Sequence, residues 1–184
     1  MNIVISPVRG MPRPVGSVYA LLMFRFSFVF FISFFLTVAA SNAAEAAGNL
    51  TGIARVVDGD TLVIDEQRIR MHGIDAPEMK QSCMTKYGDR YLCGESAKLA
   101  LIRLIDGNPV RCEGNKRDRY KRLIAVCYAR GIDLNGEMVA LGWALAYTRY
   151  SKDYLDQEAR AMSDHMGMWN GEFIAPWRWR RSRR

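Results

Sequence analysis

The sequence predicts an α+β fold, a five-stranded Greek-key β-barrel of the OB type with about three α-helices. Two observations carry this expectation. Five short segments alternate β-branched or apolar residues with polar ones, and turn-forming residues separate them. Helical periodicity enters only after the third of these segments and again after the fifth.

The first three strands are NLTGIARVVD, TLVID and QRIRMHGI, with turns at Gly59 and at Asp65–Glu66–Gln67. GESAKLALIRLI then reads as an amphipathic helix. Its apolar residues Ala97, Ala100, Leu101, Leu104 and Ile105 recur at helical spacing, and Asp106-Gly107 stops it. PVRCE and RLIAVCYA are two further strands flanking the polar turn GNKRDRYK. Two helices follow: LNGEMVALGWA, and DYLDQEARAMSDHMGMW with Leu155, Ala159, Met162 and Met166 on one face.

The segment before the barrel has a different character. Residues 1–43 carry only Arg9, Arg13 and Arg25 as charges, and Phe26 to Ala40 is an uncharged run of 15 residues. As a helix that run is about 22 Å long, short of a bilayer core of about 30 Å. Ser41-Asn42-Ala43 before Ala44 offers a small-x-small cleavage site. The segment therefore reads as a secretory signal peptide, and Met23 is a second candidate start that gives a more compact leader. The expectation is a secreted or periplasmic monomer with no stable membrane association once the leader is removed. An uncleaved anchor is the alternative. The expected organisation is a leader at 1–43, one domain at 44–172 and a Trp/Arg-rich tail at 173–184, the last read as a solvated terminus.

The formal net charge of +7 misleads about the surface. The leader holds three of the basic residues and RWRRSRR at the C-terminus five, so the remainder has 18 basic against 19 acidic residues. A uniformly basic polyanion-binding face is excluded, and any such affinity has to come from local arginines or the tail.

All four cysteines, Cys83, Cys93, Cys112 and Cys127, follow the leader, as expected of two disulfides in an exported chain. No Cys-x-x-Cys pair exists and the only histidines are His72 and His165, which argues against zinc. If Cys112 faces Cys127 in an antiparallel ladder, Arg117 faces Arg122 with Arg119 and Tyr120 at the tip, and the hairpin closes. That register assigns Cys112–Cys127, leaving Cys83–Cys93 to staple the loop before the first helix.

The unusual stretch is Arg55 to Glu78, RVVDGDTLVIDEQRIRMHGIDAPE, where Asp60, Asp75, Glu78 and Arg70 stand among apolar strand residues. With the turn at Glu66–Gln67, Asp60 lies opposite Gly73 and close to Asp75. Two converging carboxylates call for a counter-charge, which a hard oxygen-ligand cation such as Ca²⁺ supplies, with a backbone carbonyl of the Asp75-Ala76-Pro77 turn as a third ligand. Pro77 stiffens that turn. Glu78 emerges beside it, placed to take a proton from water. Arg70 and, from the second hairpin, Arg122 offer guanidinium groups to a phosphate. These are the parts for phosphodiester hydrolysis.

Three motifs in order, VDGDT (57–61), Arg70 with Gly-Ile-Asp-Ala-Pro-Glu (73–78), and Asp-Arg-Tyr-Lys-Arg (118–122), resemble the staphylococcal nuclease (thermonuclease) family over about residues 50–170. The resemblance implies an OB-fold, Ca²⁺-dependent nuclease acting on DNA and RNA and leaving 3′-phosphate ends. It implies Asp60, Asp75 and the Ala76 carbonyl as calcium ligands, Arg70 and Arg122 as clamp and leaving-group stabiliser, and Glu78 as the base. It further implies Arg119 and Tyr120 at the phosphate and Tyr150 against a base. Ala76 departs from the family threonine, Lys121 from a glycine and Arg119 from a lysine, and the loop after Glu78 carries cysteines where the family has lysines.

More ordinary roles stand beside these. Asp58 and Asp65 read as turn residues, and His72 is redundant as a base beside Glu78. His165 reads as a boundary residue of the last helix. Trp143, Trp169 and Trp177 read as packing aromatics, and Tyr150 packs or stacks. Two other functions remain open: a non-catalytic OB-type module binding single-stranded nucleic acid or another polyanion, and reuse of the site in envelope polysaccharide metabolism.

Overall fold

A computed structural model describes residues 49–183. The leader expected at 1–43 lies outside the described residues. The opening strand segment bends at Ala54 into β1 (Asn49–Ile53) and β2 (Arg55–Asp58). β3 (Thr61–Ile64) and β4 (Gln67–Met71) form a hairpin, followed by the two-residue β5 (Ile74–Asp75). A second small hairpin, β6 (Ser82–Thr85) and β7 (Arg90–Leu92), leads into α1 (Cys93–Ile105). Next come β8 (Pro109–Arg117), β9 (Leu123–Ala129) and β10 (Ile132–Asp133). The chain continues through α2 (Leu134–Ala140), β11 (Leu145–Ala146) and α3 (Leu155–Ser163). A 3₁₀ turn (Gly167–Asn170), β12 (Gly171–Glu172) and α4 (Pro176–Arg181) complete it.

The main sheet runs β1-β8-β9-β4-β3-β2. Its two ends, β1 and β2, are the halves of one bent segment, so the sheet curls until its edges meet in the same stretch of chain. β9 alternates strictly, with Leu123, Ala125, Cys127 and Ala129 inward. These residues, with Leu62, Ile69 and Met71, meet Ala97 and Leu101 of α1 and Leu134 and Met138 of α2 in the principal core. This is the α+β, OB-like architecture expected. A fourth helix exceeds the expected three because residues 176–181 coil after Pro176, whose fixed φ suits a first helical position.

Three local expectations are corrected. The β3–β4 turn is Asp65–Glu66, not Glu66–Gln67, since Ile64 pairs with Gln67. Both turn residues hold positive φ (45° and 66°), as a tight two-residue hairpin turn requires. Asp60 therefore lies opposite Met71, whose N–H donates to its carbonyl at 2.9 Å, instead of opposite Gly73. In the second hairpin Cys112 pairs with Cys127 as expected. A bulge between Glu113 and Lys116 then moves Arg117 opposite Leu123 instead of Arg122. Finally, residues 173–181 are not a solvated terminus: Phe173, Ala175 and Trp177 pack on a second apolar cluster of Cys83, Cys93, Leu145 and Met168.

Both expected disulfides, Cys83–Cys93 and Cys112–Cys127, are present. Trp143, Trp169 and Trp177 all pack on the second cluster, as read from the sequence. No helix among the described residues is long and apolar enough to cross a membrane.

Candidate active site

Asp60 follows Gly59 in the turn from β2 to β3, and that glycine permits close packing there. A Cβ on it would stand 2.7 Å from the Ala76 Cβ and 2.8 Å from the Ala97 Cβ. Asp75 ends β5, which Gly73 (φ +72°) turns out of β4 so that Asp75 pairs with Leu145 of β11. Arg70 projects from β4 between them. Its Nη1 donates to Asp60 Oδ1, and its Nη2 to Asp75 Oδ1 at 2.7 Å and the Ile74 carbonyl at 3.2 Å. Asp60 Oδ2 accepts the Ala76 N–H at 2.7 Å, and Asp60 Oδ1 also accepts from the Thr61 hydroxyl at 3.2 Å. Asp60, Arg70, Asp75 and Ala76 are thus gathered into one cluster.

Burial dominates its electrostatics. Asp60 and Asp75 are 2% and 0% exposed. Desolvation pushes both carboxyls above the usual carboxylate range. For Asp60 the pull of Arg70 works against that rise and the Asp58 charge adds to it. For Asp75 a hydrogen bond from Arg180 opposes the rise and the Asp60 charge reinforces it. Burial works to depress Arg70, but Asp60 and Asp75 outweigh it and hold its guanidinium more firmly charged. Glu78 lies on the rim, its side chain 39% exposed.

The third motif stands apart from this cluster. The side chain of Arg122 bonds Asp118, its Nε and Nη2 each 2.7 Å from Asp118 Oδ2. The neighbouring Leu123 pairs with Ile69 across the parallel β4–β9 contact, one residue from Arg70. Arg119 donates to the Tyr120 hydroxyl at 2.7 Å, and Tyr120 is 63% exposed. Tyr150 is 67% exposed, its ring edge-on to Tyr147 at 5.0 Å. His72 pairs with Asp153 at 3.7 Å, outside the carboxylate cluster.

The donor set is of the oxygen type that hard cations prefer. Among the described residues no three His, Cys, Asp or Glu side chains form a metal cluster. The candidate ligands are two carboxylates and the Ala76 carbonyl, all oxygen. Each carboxylate offers about four acceptor positions. Asp60 fills three of them with Arg70, Thr61 and Ala76, and Asp75 fills three with Arg70 and a doubly bonded Arg180. One acceptor position is left on each.

Sequence reasoning missed Arg180, which comes from α4 and bonds Asp75 through both terminal nitrogens (3.1 and 2.8 Å) and Glu78 at 2.9 Å. The one available signal was Pro176, which suits a first helical position, with Trp177 and Arg180 three residues apart after it. Nothing in it names the partners.

A family model described as "Staphylococcal nuclease homologue" matches residues 68–171. The chain is 35% identical over 132 residues to "Succinoglycan biosynthesis protein ExoI" of Rhizobium meliloti, covering 70% of this chain and 69% of that one. It is 32% identical over 157 residues to an "Uncharacterized endonuclease" of Haemophilus influenzae, covering 81% and 83%. With an "Uncharacterized endonuclease" of Escherichia coli it shares 35% identity over 138 residues, 70% and 82% of the two chains. The curled sheet, the order of the three motifs and these matches together establish that the chain belongs to the staphylococcal nuclease family.

Proposed function

We propose that the protein is an exported, Ca²⁺-dependent endonuclease that hydrolyses phosphodiester bonds of DNA and/or RNA and leaves 3′-phosphate ends. The observation that carries this reading is the buried Asp60–Arg70–Asp75 cluster with Glu78 at its rim. Burying two carboxylates in one cluster costs stability even with Arg70 and Arg180 beside them, and such clusters gather at functional sites.

In this reading Asp60, Asp75 and the Ala76 carbonyl hold the ion. The chemistry Ca²⁺ supplies when bound is positive charge beside the phosphate oxygens, which favours attack at phosphorus. Arg70 forks onto the non-bridging oxygens, and Glu78 takes the proton from the attacking water. The phosphorus–5′-oxygen bond breaks, and Arg122 meets the charge growing on that leaving oxygen. Arg119 and Tyr120 bind a neighbouring phosphate and Tyr150 a base. Asp118 holds Arg122 ready, since a guanidinium on a carboxylate is oriented before the phosphate arrives.

Two disulfides support an extracytoplasmic setting, secreted or periplasmic, with the chain from residue 44 onward, packed tail included, as the working domain of a monomer after leader removal. The near-neutral body fits substrate capture by placed arginines. Oxidised protein from Ala44 onward, given heat-denatured DNA and RNA, should release acid-soluble product with Ca²⁺ and none with chelator. New ends should carry 3′-phosphate. Retained single-strand binding without hydrolysis under any divalent cation would replace this reading with the non-catalytic binding module.

A further inference from the structure

The family match ends at residue 171, yet the side chain that makes the most bonds to Asp75 and Glu78 comes from residue 180. We propose, on the basis of the nuclease reading above, that Arg180 is a positioning residue of the hydrolytic site. Its guanidinium fixes the orientations in which Asp75 receives the cation and Glu78 meets the water.

The geometry of the fork supports this. Arg180 Nη1 reaches both Asp75 Oδ1 (3.1 Å) and Glu78 Oε1 (2.9 Å), and Nη2 reaches Asp75 Oδ2 (2.8 Å). A planar guanidinium bonded at three points sets the rotation of both carboxylates. One acceptor position on Asp75 remains, and so does Glu78 Oε2. A plug would consume the acceptors that the chemistry needs, and this arrangement leaves them. Carboxylates that ligate metals are commonly oriented by such outer hydrogen bonds. Asp60, Asp75 and Glu78 against Arg70 and Arg180 still leave one formal negative charge in the cluster.

The seat of the tail is built, not incidental. The side chain of Gln81, fully buried, donates to the Ile174 carbonyl at 2.6 Å. The Trp177 ring lies on Tyr147 with centroids 5.5 Å apart and planes 10° apart. Trp177 and Arg180, three residues apart, share one face of α4. Both anchors also grip the site. The Tyr147 N–H donates to the Gly73 carbonyl at 2.8 Å, in the turn before Asp75, and the Gln81 N–H donates to the Glu78 carbonyl at 2.7 Å. The segment that delivers Arg180 therefore rests on the same loops that carry the carboxylates.

The test compares wild type, Arg180→Gln, Arg180→Lys and, as a control on the exposed side of α4, Arg178→Gln. Calcium binding is read by titration calorimetry, and cleavage of denatured DNA is read as separate kcat and KM. In Arg180→Gln the calcium Kd should weaken at least threefold and kcat fall at least tenfold, with KM within threefold. Arg180→Lys should recover part of both losses and Arg178→Gln should match wild type. Calcium binding and kcat equal to or better than wild type in Arg180→Gln would overturn the proposal, marking the tail as a spectator or a plug, with the nuclease reading intact. Should wild type cleave nothing, the nuclease reading fails by itself and the titration decides for Arg180. A weaker Kd in Arg180→Gln then supports the hold on Asp75 for the cation, while equal binding, or none in either protein, overturns it.

Discussion

Asp60 Oδ2 accepts the backbone N–H of Ala76 at 2.7 Å, across sixteen residues of sequence. That single bond joins the loop entering β3 to the turn leaving β5 and ties the backbone of Ala76 to the first carboxylate. Its acceptor is a carboxyl that burial holds above its ordinary range, as burial also holds Asp75. The sign follows. A raised folded pKa contributes stability that is fully present below the unfolded value and is lost as pH rises through the folded value. A cation needs the ionised forms, so its binding should offset that loss and be weakened by acid. Calcium should therefore raise Tm more at pH 7.5 than at pH 5. Equal shifts in a thermal melt at the two pH values would count against cation binding at this pair.

Asp118 shows the opposite behaviour. Its burial works upward, but hydrogen bonds from Arg122 and the backbone hold its carboxyl below the usual range. A depressed folded pKa gives stability present above the unfolded value and lost as pH falls through the folded one. Asp118→Asn should cost about 1–2 kcal/mol near pH 7, with the gap to wild type narrower at about pH 3. Urea unfolding at both pH values measures it. Loosening Arg122 should also lower cleavage several-fold.

The two disulfides should separate by readout. Removing Cys112–Cys127 as paired alanines opens a 15-residue separation inside the barrel and should cost about 3 kcal/mol in denaturant unfolding. Removing Cys83–Cys93, with a separation of 10, should cost roughly 2–3 kcal/mol. Because that bridge lies under Phe173 and Trp177, its loss should lower cleavage proportionally more than the barrel bridge does.

Gly73 holds φ at +72°, and a Cβ there would stand 3.0 Å from the Tyr154 ring. Gly73→Ala should destabilise by more than about 1 kcal/mol. It should also reduce cleavage beyond that effect, since Asp75 follows two residues later. Wild-type activity at a temperature well below the melt would contradict the link.

The convergence of Asp60 and Asp75 was legible in the sequence even though the register proposed for that hairpin was two residues out. A two-residue slip keeps every side chain on its own face, so the convergence survived the error. The bulge between Glu113 and Lys116 is a one-residue shift, which is why the pairing of Cys112 with Cys127 held and that of Arg117 with Arg122 did not. Arg180 was not legible at all. Its bonds reach 102 and 105 residues back along the chain, and no local period encodes contacts of that span.

The most direct measurement of the central claim is the single-turnover cleavage rate of Glu78→Gln on denatured DNA with saturating Ca²⁺, beside wild type. Calcium and DNA affinities are measured on the same samples. The expected rate is at least a hundredfold lower, with DNA affinity within a few-fold of wild type. A rate within threefold of wild type, with the fold intact, would contradict it and remove Glu78 from the chemistry.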